Sequence, residues 1–383
     1  MLTHPRPVDD LTMKDRDNRG RPTAVTASSP GRVCLAGESL DWMIGGPSVT
    51  AAIPLRTRVT AWRTSGGTDV VLSSSAPIYR TRILPVDVVA RRQYQGEVLD
   101  HIQAAARLTL RGDGRLDGLV LSASTESPVA AGVASSAAVT LATCAALSHL
   151  EGASEPDIGR ICELAYQVES DELQIGAGWM DYLACAHGGV NAIESATPPR
   201  ITHIADTLGV PLVLIDTLER RSTKSVLAAK RAQLVARDPA MLSYVARTAE
   251  VATAITHELT AAEVDYRAIG GWLNIAQNLL ASQARCSTPL IQACIERALR
   301  AGAYGAKLTG SGHGGCLFAL VPPDAIVPVL ASLEDLPVHT QALPASEAAG
   351  LVTHCTADVA GPTGVQQADA TDRASDLMRV PHS

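Results

Sequence analysis

No stretch of this chain approaches the roughly 20 consecutive apolar residues that a membrane-spanning helix requires, so a membrane partner is not expected. The start, Met1-Leu-Thr-His-Pro-Arg-Pro, lacks the apolar centre of a signal peptide. There is no C-x-x-C pair among the eight cysteines, which speaks against a zinc ribbon or a dithiol redox site. Cys34, Cys144, Cys162, Cys185 and Cys316 lie among apolar or small residues, as buried, reduced thiols do. Positive charge is not in excess: the net charge of −7 argues against a nucleic-acid binder but leaves room for a local basic pocket. No internal repeat is visible. These absences lead to the expectation of a soluble cytoplasmic protein, monomeric or homodimeric.

What is present is material for a large core. With 383 residues, 46 % of them hydrophobic and 19 % charged, the chain exceeds a typical single domain, and two are expected. Residues 1–24 are polar and read as a disordered arm, and residues 356–383 as a disordered tail. Units of 25–208 and 209–355 lie between them. In the first, Ser48–Ile53, Arg58–Trp62, Val70–Leu72 and Gly118–Ser122 read as strands, and Ala137–Leu147 as a buried helix. A further helix starts at Ser154-Glu-Pro-Asp157, with Ser154 as cap, and runs to about Leu173. Its apolar face carries Ile158, Cys162, Ala165 and Leu173, with Glu169 set among them. That carboxylate either reaches solvent at the edge of the stripe or is buried beside a cation or a metal. In the second unit, Pro211–Ile215 and Gly315–Val321 read as strands. Helices are expected over 226–237, 239–258, 263–283, 289–301 and 324–333.

Three motifs stand out. The first is Ser29-Pro-Gly-Arg-Val-Cys-Leu-Ala-Gly-Glu-Ser-Leu-Asp41 and the second Pro128-Val-Ala-Ala-Gly-Val-Ala-Ser-Ser-Ala137. The third is Lys307-Leu-Thr-Gly-Ser-Gly-His-Gly-Gly-Cys316. Glycine lets a backbone turn its N–H groups toward an anion, and a helix N-terminus behind such a loop adds the positive end of its dipole. In this order and spacing the motifs resemble those of the GHMP kinases, the superfamily of galactokinase, homoserine kinase, mevalonate kinase and phosphomevalonate kinase. Val133 stands where the second motif of the family has leucine. The resemblance covers roughly residues 25–340. It implies an α+β, two-domain GHMP kinase fold: an N-terminal domain like ribosomal protein S5 domain 2, a ferredoxin-like C-terminal domain, and an active site in the cleft between them.

It also implies an ATP-dependent kinase using magnesium. Pro128, Gly132, Val133, Ala134, Ser135, Ser136 and Ala137, with Gly310, Gly312 and Gly314, would then surround the ATP phosphates. Ser136 and Glu169 would hold Mg²⁺, and Asp171 and Glu172, close to Glu169, read as solvated. Asp181, in Gly176-Ala-Gly-Trp-Met-Asp-Tyr182, matches the aspartate that faces the acceptor hydroxyl in galactokinases and would act as base, paired with Arg32. Glu38, Ser39, Asp41, Tyr182 and Gly312 would bind the substrate. Tyr182 stands where galactokinases have glutamine, and Ser39 where they have histidine.

Two acids kept after the first motif, together with Arg32 and Met180-Asp181, favour a neutral sugar or polyol, phosphorylated on its anomeric hydroxyl to a sugar 1-phosphate. Arg221-Ser-Thr-Lys224 points the other way: it resembles a segment of mevalonate kinases and could hold a carboxylate or an ATP phosphate. A mevalonate-type acid or a uronic acid is the alternative acceptor. A galactokinase-like sensor without turnover is a further one.

Overall fold

The structure, a computed structural model, describes residues 23–75, 79–111, 116–154, 157–220 and 222–355. Nearly all of the expected N-terminal arm, the tail from 356 and Arg221 of the basic segment lie outside the described residues. In chain order the elements are β1 (Ala24–Ala36), α1 (Leu40–Ile44), β2 (Pro47–Arg63), β3 (Asp69–Ser74), β4 (Arg80–Pro85), α2 (Val86–Ala90), α3 (Leu99–Thr109), β5 (Leu119–Thr125) and α4 (Ser135–Leu150). Then come α5 (Ile158–Gln167), a π-helical turn over Val168–Glu172, α6 (Met180–His187), β6 (Val190–Glu194) and β7 (Arg200–Ala205). The remainder is β8 (Leu212–Asp216), α7 (Thr223–Val235), α8 (Pro239–Leu259), α9 (Tyr266–Ser282), α10 (Pro289–Arg300), β9 (Gly305–Leu308), β10 (Cys316–Leu320), α11 (Ile326–Ala331), β11 (His339–Leu343) and β12 (Val352–Cys355).

Two sheets organise these elements. The larger runs β12-β1-β2-β5-β3-β4, with β6 and then β7 joined to the other end of β2. The expected strands at 48–53 and 58–62 are one strand, β2. It changes partner along its length, pairing β6 through Pro47–Ala51 and β5 through Thr57–Arg63. Pro54, which has no N–H to give, falls where the register against β1 slips between Pro30 and Gly31. The second sheet is antiparallel, in the order β11-β8-β10-β9.

α4 is apolar on every side and is buried from Ala137 to Leu147 against β1 and β2. A continuous core joins the two sheets. Val33, Leu35, Val49 and Ile53 of the first meet Leu212–Ile215 and Cys316–Leu320 of the second through Met241, Tyr244 and Val245 of α8. Helix starts in the second half follow local chemistry: Asp238 accepts from the N–H groups of Ala240 and Met241 ahead of Pro239, and Thr288 caps α10 ahead of Pro289.

Four local expectations are corrected. The first motif is not a loop: Ser29–Ala36 lies within β1. Asp157, not Ser154, caps α5, accepting from Arg160 N–H. That helix does not continue to Leu173 as an α-helix but widens into the π-helical turn. Val352–Cys355, placed by sequence in the second unit, pairs with β1 in the first sheet. The five cysteines singled out above are all buried.

Candidate active site

The three motifs meet at the second. Its backbone carbonyls are taken from behind by the other two. Arg32 N–H donates to Val133 O at 3.1 Å, and Cys316 N–H to Ala131 O at 2.6 Å. The Arg32 side chain donates from Nη1 to Gly132 O at 2.7 Å. Gly310, at φ +80°, touches the second loop so closely that a Cβ there would sit 2.7 Å from Gly132 Cα. Ala134 opens α4 in the left-handed region, at φ 62°, and no side chain caps the helix. The first N–H groups of a long buried helix therefore face a cleft with no side-chain acceptor of their own, which is the geometry of an anion site.

That cleft is a cavity of about 670 Å³, lined from both halves of the chain. Gly132, Ala134, Ser135, Ser136, Glu169, Gly310, Asp181, Arg32, Glu38, Ser39 and Asp41 all border it. Other predicted residues do not. Val133, Ala137 and Tyr182 are buried behind its wall, and Pro128 lies off it. Gly312 packs on Cys286 and Gly314 on Glu219, so both shape the third loop instead of lining the cavity.

At the centre, Arg32 donates from Nε (2.9 Å) and Nη2 (2.6 Å) to Asp181 Oδ1. Arg32 is 2 % exposed, whereas the Asp181 side chain is 29 % exposed toward the cleft. Asp181 sits in the first turn of α6. Next to it, Asp41 accepts from Met180 N–H at 3.3 Å, and a side chain at Gly178 would collide with its carboxylate. Burial, reinforced by the charge of Asp181, pushes the Asp41 carboxyl up to about 6.

Toward α4, Glu169 is 4 % exposed, and its Oε1 has no hydrogen-bond partner among the described residues. Burial pushes its carboxyl up, opposed by His101, whose Nε2 lies 3.7 Å away, and by the neighbouring Ser136 hydroxyl. The buried Tyr182 is its neighbour. Asp171 is exposed as expected, but Glu172 is not solvated. The π-helical turn carries it inward, where Arg107, Arg92 (2.9 Å), Arg111 (3.3 Å) and the Tyr94 hydroxyl (2.8 Å) surround its carboxylate.

Glu38 departs from expectation. It is 1 % exposed, and its Oε1 is ion-paired with the fully buried Lys307 ammonium, which also donates to Cys34 O (2.9 Å) and Leu308 O (2.8 Å). Sequence reasoning quoted Lys307 in a motif without seeing its partner. It missed Lys230 and His101 altogether, since an isolated lysine in an alanine-rich helix and a histidine in an unassigned segment carry no local signal.

An uncapped helix N-terminus and an acid–arginine pair facing one cleft, lined from both halves of the chain, are what phosphoryl transfer requires. The matches to known proteins narrow this. Residues 100–189 match the family model of the GHMP kinases N terminal domain, and residues 259–336 that of GHMP kinases C terminal. The chain is 30 % identical over 309 residues to a mevalonate kinase of Thermococcus sibiricus, covering 78 % of this chain and 89 % of the relative. It is 28 % identical over 334 residues to a galactokinase of Mycobacterium bovis, at 78 % and 90 % coverage. The crystal structure of Lactococcus lactis galactokinase complexed with galactose superposes with a TM-score of 0.72 at 20 % identity, covering 86 % and 95 % of the two chains. The chain belongs to the GHMP kinases and has their two-domain α+β fold. It is an ATP-dependent phosphotransferase with an alcohol group as acceptor. Among the described residues, no helix is long and apolar enough to cross a membrane.

Proposed function

We propose that the protein transfers the γ-phosphate of ATP to the anomeric hydroxyl of a sugar, giving a sugar 1-phosphate. The observation that carries this reading is the Arg32–Asp181 pair beside Asp41, facing the cleft opposite the start of α4. Both Arg32 bonds go to Asp181 Oδ1, which leaves Oδ2 to accept the proton of an acceptor hydroxyl. As that proton passes to Asp181, the hydroxyl oxygen bonds to the γ-phosphorus, the bond from phosphorus to the β–γ bridging oxygen breaks, and ADP leaves. Arg32 also grips Gly132 O, so one guanidinium sets the base and the phosphate loop relative to each other.

Gly132 and Ala134–Ser136, with the α4 N-terminus and Gly310, offer backbone to the ATP phosphates. The residues beside them suit magnesium: Glu169 Oε1 is buried and unpartnered, and the Ser136 hydroxyl adjoins it. Among the described residues no group of three or more His, Cys, Asp or Glu could hold a metal, which accords with an ion that keeps waters and phosphate oxygens as ligands. When bound, magnesium would neutralise phosphate charge. Asp41 supports the sugar reading, since a cleft carboxylate accepts from adjacent hydroxyls. A mevalonate-type acceptor is the second reading, favoured by the identity to the Thermococcus enzyme.

The test is Asp181→Asn. Turnover on the best acceptor should fall by about a hundredfold or more, with ATP binding retained. Near-normal turnover would remove the base from the mechanism. Phosphorus NMR of the product should show coupling to the anomeric proton. Phosphate only on a primary hydroxyl, or activity on mevalonate with none on any sugar, would overturn the sugar 1-phosphate reading.

A further inference from the structure

Two buried polar atoms face each other at the α4 end of the cavity, and neither is satisfied. His101 Nε2, on α3, lies 3.7 Å from Glu169 Oε1, on the π-helical turn. Among the described residues neither atom has a hydrogen-bond partner. Both residues line the cavity, as does Ser136 at the start of α4. At this separation the two atoms do not hydrogen-bond to each other. It is the spacing of two ligands of one ion: bonds of about 2.1 Å meeting at roughly 90–125° set ligand atoms about 3.0–3.7 Å apart. A bridging water with hydrogen bonds of about 2.8 Å would have to close to an angle of roughly 80°, a poor fit.

The gap is held open from both sides by groups outside it. Asp100, next to His101, accepts from Arg82 Nη1 at 2.6 Å and from the N–H groups of Gln95 (2.9 Å), Gly96 (2.6 Å) and Glu97 (3.0 Å), which fixes the start of α3. Glu172, on the same turn as Glu169, accepts from Arg107 Nε of α3 at 3.0 Å. α3 and the turn are therefore tied together by bonds that use neither His101 nor Glu169. Such a frame resists the small shift that would let the two atoms satisfy each other, and it keeps a desolvated carboxylate oxygen aimed at an imidazole nitrogen across the cleft.

Glu169, the Ser136 hydroxyl and phosphate oxygens are hard oxygen donors, which suit magnesium. An imidazole nitrogen is softer and suits first-row transition ions. We infer that His101 is a ligand, beside Glu169, of the ion that accompanies the nucleotide, and that the site takes Mn²⁺ in preference to Mg²⁺. This rests on the kinase reading of the same cleft. Among transition ions, Mn²⁺ is the one that the remaining oxygen donors also suit.

The experiment uses the whole protein with the non-hydrolysable ATP analogue adenylyl imidodiphosphate, in wild type and His101→Gln, a change that replaces the ring by an amide. Electron spin-echo spectra of bound Mn²⁺ in wild type should show a directly bound nitrogen that changes when the protein, and not the nucleotide, is labelled with ¹⁵N. His101→Gln should lose it. The ratio of Mn²⁺ to Mg²⁺ affinity should exceed that of the analogue alone by about tenfold in wild type and fall back to it in His101→Gln, with Mg²⁺ affinity changed less than about threefold. No protein nitrogen on the ion, or the same ratio in both proteins, would overturn the His101 assignment and leave the kinase reading standing. So would tighter binding of both ions in His101→Gln, since His101 would then be only a charge partner of Glu169. A protein that binds neither the analogue nor an ion would fell the kinase reading itself. If His101→Gln does not fold, the isotope comparison in wild type decides the matter, because among the described residues His101 is the one histidine that borders the cavity.

Discussion

Replacing Glu38 with glutamine separates two roles that the sequence could not. As a substrate ligand, Glu38 would be spared structural work. As the partner of Lys307, it holds a fully buried ammonium that links motif one to motif three. Glu38→Gln keeps the shape and removes the charge, leaving the Lys307 ammonium with neutral acceptors alone, Cys34 O and Leu308 O among them. Breaking one side of such a buried pair costs about 3–5 kcal/mol, because the remaining charge is uncompensated. Removing both charges in Glu38→Leu/Lys307→Met should recover about 2 kcal/mol or more of that loss, since neither desolvation penalty remains. Urea unfolding gives the stabilities, and steady-state kinetics give the acceptor KM. The structural role predicts a large fall in stability for the single variant, partial recovery in the double variant, and an acceptor KM that changes only modestly in the double variant. A Glu38→Gln protein as stable as wild type to within about 0.5 kcal/mol would refute the reasoning. If its acceptor KM also rose more than about tenfold, Glu38 would be a ligand of the substrate after all.

Two further outcomes are expected. Asp41 titrates near 6 in the folded protein against 3.8 for an ordinary aspartate, so the folded state holds the extra proton between these values. The contribution to stability is therefore fully present below 3.8 and lost as pH rises through about 6, a fall of about 2 kcal/mol from about pH 4.5 to about pH 7. Asp41→Asn should remove that component from the difference between urea midpoints at the two pH values, and an unchanged difference would discard it. For Glu169→Gln, the melting-temperature rise given by ATP alone should persist, while the further rise on adding magnesium should largely vanish. An undiminished magnesium increment would place the ion elsewhere.

The family was legible because its chemistry sits in short motifs whose glycines and acids are adjacent in sequence. Arg32 and Asp181 could be paired through that resemblance, and the structure joins them by two hydrogen bonds. What escaped was long-range. The Glu38–Lys307 pair joins opposite ends of the chain, and nothing local in either segment announces it. Glu172 looked solvated beside Asp171 because helical periodicity gives no warning of a π-helical turn, and its arginine partners come from a stretch between β4 and β5 that the sequence left unassigned. β2 was expected as two strands, Ser48–Ile53 and Arg58–Trp62, yet it runs unbroken through Pro54. That proline lies at a register slip, where its missing N–H removes no pairing.

The last described strand gives the molecule a property that neither sheet has alone. β12 lies along β1, with Val25 opposite Cys355, and Arg56 fastens the approach to it by donating to Ala349 O (2.5 Å) and Gly350 O (2.7 Å). β1 is also the strand that carries Arg32. During synthesis, that strand keeps an open edge until β12 has been made, after every other described element. A contact so distant in sequence is slow to form, and an open edge invites pairing with other chains in the meantime. A chain cut before residue 349 thus leaves the strand that carries Arg32 unlatched, so the active centre depends on a segment more than 300 residues further along the chain.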